Sequence, residues 1–198
     1  MDILVTLIGS VAFAILAPIV GCLLAGIDRV ISARMQGRVG PPLLQPYYDV
    51  RKLLAKEQAS VNAVDEAYIT CAIIFCLLAG GMFISGSNLL MCVFLVTLAT
   101  LFVIIASYSA RSPFADTGAD RECLQVMSYE PMVLLMAVAF FQAAGSFDVA
   151  EVFQLNHPII CTIWLVFLGV LFILTIKLRK SPFDLSYSHH AHQELVKG

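Results

Sequence analysis

Glu130 is followed by Pro131 and then by an apolar run that ends at Ala144, so a lone carboxylate stands at the head of a segment suited to lipid. From Pro131 to Gly145 the segment has fifteen residues. As a helix that is about 22 Å long, against the roughly 30 Å of a bilayer core. Extending it backward through Leu124, Val126 and Met127 supplies the missing length. Glu130 then lies about one and a half turns below the membrane surface, where a carboxylate is costly unless it faces a water-filled cavity or takes up a proton. The chemistry this predicts is reversible ion binding on a path through the membrane. A competing reading keeps Glu130 at the interface as a first-turn carboxylate beside Pro131, favoured by the helix dipole.

Two other groups could do chemistry. His189, His190 and His192 suggest a metal, because neutral imidazole is the commonest metal ligand. Neighbouring residues on a helix point about 100° apart, however, and no cysteine or carboxylate cluster completes a ligand set. A docking or proton-relay role suits them better, since histidine titrates near neutral pH. Arg34 and Arg38 flank a turn in the stretch Gly37-Arg38-Val39-Gly40-Pro41-Pro42. Two guanidiniums there could grip carboxylates of a soluble partner in a bidentate way that lysine cannot copy, or attract lipid headgroups. None of the six cysteines forms a C-x-x-C pair, so neither an iron–sulfur cluster nor a zinc site is readable and buried structural thiols are expected.

The elements that must position these groups are membrane helices. Hydrophobic residues make up 60% of the 198 and charged ones 13%, against roughly 25% charged in an ordinary soluble domain. Five apolar stretches approach the length of a spanning helix and do not alternate as barrel strands would. The expected fold is therefore all-α and polytopic, a single transmembrane domain over residues 1–198 with spans near 3–27, 67–84, 89–108, 124–145 and 159–178. Leu43, Tyr47, Val50 and Leu54 recur at helical spacing, which predicts an amphipathic helix over 45–57 on the inner membrane surface. Its polar face would carry Asp49, Lys52 and Lys56.

If the first helix runs inward, all twelve basic residues fall on inside segments, the arrangement that the positive-inside bias favours. The amino terminus is then outside. That first helix has no positive n-region and exceeds the length of a signal-peptide core, so it should remain as an anchor. The segment Ser109–Tyr129, with Arg111, Asp116, Asp120, Arg121 and Glu122 in mixed signs, reads as a solvated inside connector. The echo of Arg111-Ser112-Pro113-Phe114 in Lys180-Ser181-Pro182-Phe183 is explained as well by the need to stop a helix as by a repeat.

At the long inside segments a family resemblance enters. Ala33-Arg34-Met35-Gln36-Gly37-Arg38-Val39-Gly40-Pro41, then Leu44-Gln45-Pro46 and the run Asp49 to Glu57, resembles the first cytoplasmic loop of the H-type membrane component of respiratory complex I and its hydrogenase relatives. Gly118-Ala119-Asp120-Arg121, Ser128-Tyr129-Glu130, Gly145-Ser146-Phe147 and Ser181-Pro182-Phe183-Asp184 follow in the family's order. The resemblance runs from about Asp28 to Gly198. Complex I members carry an acidic stretch after Pro-Phe-Asp, whereas this chain has His189-His190-Ala191-His192-Gln193 before Glu194. That form is similar to the energy-converting [NiFe] hydrogenases of the Ech type, with the formate hydrogenlyase membrane subunit second. Family members continue through about three further helices, so this sequence is expected to be truncated or split.

The resemblance implies that Glu130, Asp184 and Glu194 form an ion path. It also implies that inside-facing Arg34, Arg38, Asp49, Lys52, Asp120, Arg121, His189, His190 and His192 dock a soluble arm. Hydrogenase large and small subunits, a ferredoxin-like iron–sulfur subunit and an antiporter-like membrane subunit would be the partners, in a cytoplasmic membrane. They would hold the [NiFe] and [4Fe-4S] centres and this chain no cofactor, metal or nucleic acid. The expected role is thus a non-catalytic subunit of an oxidoreductase complex, coupling ferredoxin- or formate-driven proton reduction to H⁺ or Na⁺ movement. An H-type subunit of a quinone oxidoreductase and an independent transporter are the alternatives.

Overall fold

The computed structural model describes residues 3–56, 63–110, 112–152 and 158–178. They form seven helices: α1 (Ile3–Met35), α2 (Gln45–Leu54), α3 (Ala63–Ile84), α4 (Leu89–Ser109), α5 (Pro113–Ala144), α6 (Val149–Val152) and α7 (Ile160–Lys177). The fold is all-α, and among the described residues strand-like pairing is limited to one isolated bridge between Asn88 and Asp148. Helices α1, α3, α4, α5 and α7 are long and apolar enough to cross a bilayer. In hydrocarbon a helix satisfies every backbone polar group within itself, which is why continuous apolar runs take this form.

Two compact units can be distinguished: Val11–Ala59, and residues 1–10 with 60–198. In the first, α1 stops at Gly37, whose φ of +69° is a left-handed turn open to glycine. The chain then doubles back along α1. Gly40 lies over Val30, and Gly26 lies so close under Leu43 that an added Cβ would stand 2.0 Å from the Leu43 carbonyl oxygen. Glycine at both crossings lets backbone meet backbone, and Pro41-Pro42 stiffens the returning strand. Pro46 in the first turn then starts α2.

The second unit contains the bundle. Helices α3 and α4 form a hairpin, with Phe75 stacked on Phe102 at 5.4 Å. Its turn pairs with the segment after α5, Leu89 N–H donating to the Phe147 carbonyl at 2.8 Å and Val149 N–H to that of Ser87 at 3.2 Å. Helix α5 packs on both α4 and α7 around Ile104, Ala119, Val126, Tyr129 and Ile173.

One sequence expectation changes here. Ser109–Tyr129 is not a connector: α5 starts at Pro113 and carries Asp116, Asp120, Arg121 and Glu122 on its first turns. The Ser-Pro pair that ends α4 also begins α5, because proline is pre-shaped for the first helical position and Asp116 suits the positive end of the dipole.

Candidate functional site

Glu130 is the eighteenth of the 32 residues of α5, far from the first turn of its helix. The reading that made it a dipole-stabilised first-turn carboxylate therefore loses its basis. Its half-buried carboxylate accepts a hydrogen bond from the Thr97 hydroxyl at 2.8 Å. Thr97 is the ninth of the 21 residues of α4, so the carboxylate lies midway along the α4–α5 contact. Pro131, the next residue, supplies no N–H to the carbonyl of Met127, which weakens the helix beside the carboxylate.

Polar groups accumulate on the same stretch of α5. Glu122 and Gln125 are buried at 5% and 8% exposure, on a face shared with Val126 and Tyr129. Spacings of three, four and seven residues bring them onto one side of a helix. Glu130 lies eight residues on from Glu122, about 12 Å further along the axis and about 80° round from it, so the carboxylate stands beyond this buried polar pair on the same helix. Tyr108, near the end of α4, donates its hydroxyl to Asp120. From α7, the Lys177 ammonium sits 4.8 Å above the centroid of the buried Tyr129 ring. The end of α7 therefore lies next to the Glu130 stretch of α5.

A second polar cluster belongs to the other unit. The Arg29 guanidinium donates to Asp49 at 2.9 Å, and the Gln45 amide donates to the same carboxylate at 3.0 Å from one helical turn away. The Arg29 guanidinium first, then Gln45, holds the Asp49 carboxyl below the usual carboxylate range. Arg34 and Arg38 line a groove of about 650 Å³ whose other walls are Val30 and the segment from Val39 to Leu43. Lys52 is exposed on α2.

Of the residues singled out from the sequence, the structure thus gives Glu130 a partner on another helix, brings Arg34 and Arg38 to one groove, pairs Asp49 within the chain and bonds Asp120 to Tyr108. Arg121 lies on α5 next to Glu122. Asp184, His189, His190, His192 and Glu194 lie outside the described residues. Thr97, Gln125 and Lys177 were not foreseen. Lys177 carried a signal, as the one charge in the apolar sequence of α7. Among the described residues no group of three histidine, cysteine or carboxylate side chains could hold a metal ion.

A helical membrane protein with a carboxylate held between spanning helices is the class these features define. The chain belongs to the NADH dehydrogenase family, whose model matches residues 8–198. It is 30% identical to formate hydrogenlyase subunit 4 of Escherichia coli over its whole length, covering 67% of that protein. With the H-type subunit of the NADH-quinone oxidoreductase of Geobacillus thermodenitrificans it shares 29% identity over 99% of its length, covering 62%. The fold matches a chain in the structure of the membrane-bound sulfane sulfur reductase, an archaeal respiratory membrane complex. That match has a TM-score of 0.87 and 24% identity, over 98% of this chain and 69% of the other. This is a membrane subunit of the complex I and hydrogenase superfamily.

Proposed function

We propose that the chain is the membrane-arm coupling subunit of an energy-converting [NiFe] hydrogenase of the Ech or formate hydrogenlyase type. It anchors a soluble redox arm and links proton reduction to movement of H⁺ or Na⁺. The observation that carries this reading is the Glu130 carboxylate, bonded to Thr97 midway along α4, on the helix that also buries Glu122 and Gln125. A carboxylate between spanning helices is costly and is retained where it binds an ion or a proton. Asp184 and Glu194 continue the path. Arg34 and Arg38, with Asp49, Lys52, Asp120, Arg121 and the three histidines after α7, face the soluble arm.

The distribution of all twelve basic residues supports a cytoplasmic side for these segments and an outside amino terminus. Partner subunits then hold the nickel–iron and iron–sulfur centres. Glu130→Gln tests the coupling role in inverted membrane vesicles: the complex should assemble and evolve hydrogen while reductant-driven ion uptake is lost. Normal uptake in that variant ends the proposal.

The similarity to a quinone oxidoreductase component supports a second reading, in which the same scaffold serves quinone reduction. Affinity purification through this chain separates the two by what comes with it, hydrogenase large and small subunits or quinone-reducing ones.

A further inference from the structure

Helix α1 ends on a turn that fixes two arginines relative to each other. The Arg38 N–H donates to the Ala33 carbonyl at 2.9 Å and the Gly37 N–H to that of Arg34 at 3.0 Å, with Gly37 at a φ of +69°. This is the closure in which a left-handed glycine brings the next residue back over the last helical turn. Arg38 therefore returns beside the turn that carries Arg34, and both line the groove of about 650 Å³. The opposite wall is stiff as well, because Gly40 lies against Val30 and two prolines follow it.

Among the described residues neither of these side chains has a hydrogen-bond or ion-pair partner, whereas Arg29 on the same helix is taken by Asp49. No carboxylate lines the groove, and its apolar walls are Val30, Val39, Pro41, Pro42 and Leu43. Two forks of donors beside such walls suit a ligand that is anionic at one point and apolar beyond it. Met35 and Val39 next to the groove are almost fully exposed and Leu43 is half exposed, an apolar surface of the kind that marks a contact with lipid or ligand. The depth along α1 gives the source of the ligand. The apolar run of this spanning helix gives way to charge at Asp28 and Arg29, immediately before the groove begins at Val30, so the groove stands at the level of the lipid headgroups. A phosphodiester would supply the anion and its acyl chains the apolar part. A headgroup with its own ammonium would bring a cation against two arginines, where no groove carboxylate receives it, so an acidic phospholipid fits and a zwitterionic one does not.

We propose that this groove is a binding site for one acidic phospholipid, its phosphate gripped between Arg34 and Arg38 and an acyl chain laid along Val30, Val39 and Leu43. The chain alone binds the lipid, and a soluble arm docked over this surface would stand on the headgroup as well as on protein. Such a grip differs from the general attraction of a basic surface for anionic lipid. The attraction follows the number of charges, whereas the grip follows where the Gly37 turn puts two of them.

Native mass spectrometry of the full chain, released from micelles holding equal amounts of phosphatidylglycerol and phosphatidylcholine, counts the lipid that stays bound. Wild type should keep one phosphatidylglycerol per chain in preference to phosphatidylcholine. Arg34→Gln Arg38→Gln should lower that retention about tenfold or more, since each guanidinium gives the phosphate charge-assisted hydrogen bonds. Arg51→Gln Lys56→Gln removes the same charge from outside the groove and should leave retention unchanged. Gly37→Val keeps both arginines but strains the left-handed turn, and retention should fall there too. Circular dichroism selects the variants that keep their helix content. No preference in wild type, equal losses in the two double variants, or full retention in Gly37→Val would each reduce the site to diffuse attraction and overturn it. Release of the lipid by millimolar inorganic phosphate would overturn it too, by making the groove a site for a free anion. None of these outcomes bears on the coupling role, which is read from ion uptake in Glu130→Gln.

Discussion

Asp49 and Glu130 are both carboxylates that accept a side-chain hydrogen bond from another helix, and their settings are opposite. Asp49 is held by the permanent charge of Arg29 and by Gln45 on a solvated surface, with 50% of the arginine side chain and 40% of the aspartate side chain exposed. Glu130 is half-buried in the α4–α5–α7 bundle, and its direct partner is a neutral hydroxyl. An exposed pair with arginine stays charged across the physiological range and can only fasten α2 to α1. A carboxylate held by one threonine hydroxyl between apolar helices has further acceptor sites to offer an ion. Acceptor sites left open for an ion are what separate a carrier from a clip.

Thr97→Val breaks that comparison at its sensitive end. The substitution keeps shape and removes the donor, and a hydrogen bond to a charged group contributes about 1.5–3 kcal/mol. Redox-driven ion uptake should fall about tenfold or more by the same arithmetic. Gln45→Ala, which removes the equivalent neutral donor from Asp49, should leave uptake unchanged. Equal effects of the two would mean that the bundle carboxylate is as structural as the surface one.

A smaller effect is expected at the crossing that carries the Arg29–Asp49 clip. Gly26→Ala would press a methyl group into the Leu43 carbonyl oxygen, 2.0 Å from the ideal Cβ, and lift the returning segment off α1. Overpacking of this kind costs about 1–3 kcal/mol. Trypsin should then cut after Arg38 faster than in wild type, with ion uptake reduced less than by Thr97→Val. An unchanged cleavage rate would show that the segment is held by something other than backbone contact.

The two regions also differ in how much of them the sequence discloses. Apolar spans are legible because lipid demands uninterrupted runs, and α4 at 89–109 matches its expected span of 89–108 within a residue. Where a helix is expected over 45–57, one runs over Gln45–Leu54, its periodicity carried by Tyr47, Val50 and Leu54. Glu130 is visible in one dimension, as a carboxylate beside an apolar run. The start of α5 is not, because Ser112-Pro113 looks like a stop signal and serves as a start as well. With that start misplaced, the three- and four-residue spacing of Glu122, Gln125, Val126 and Tyr129 does not read as one helix face. Thr97 meets Glu130, and Lys177 meets Tyr129, only through packing of helices 33 and 48 residues away along the chain, which no local pattern records.

The smallest expected effect is the acid response of the surface clip. Arg29 and Gln45 depress the folded-state affinity of Asp49 for protons relative to the ordinary value of 3.8. For a carboxylate lowered in this way, the stabilisation is fully present above the unfolded-state value and is lost as pH falls through the still lower folded one. The clip should therefore hold unchanged from neutral pH down to about 4 and loosen only below that, while Arg29 stays protonated throughout. Because the pair is exposed, salt screens it and its contribution is modest. Spin labels on α1 and α2, at Ile31→Cys and Leu53→Cys, would report a broadened distance distribution on acidification below about pH 4. Asp49→Asn should show the broadened distribution already at neutral pH and respond no further to acid. A transition near pH 6 instead would assign the motion to an imidazole, and the carboxylate clip would then have no part in it.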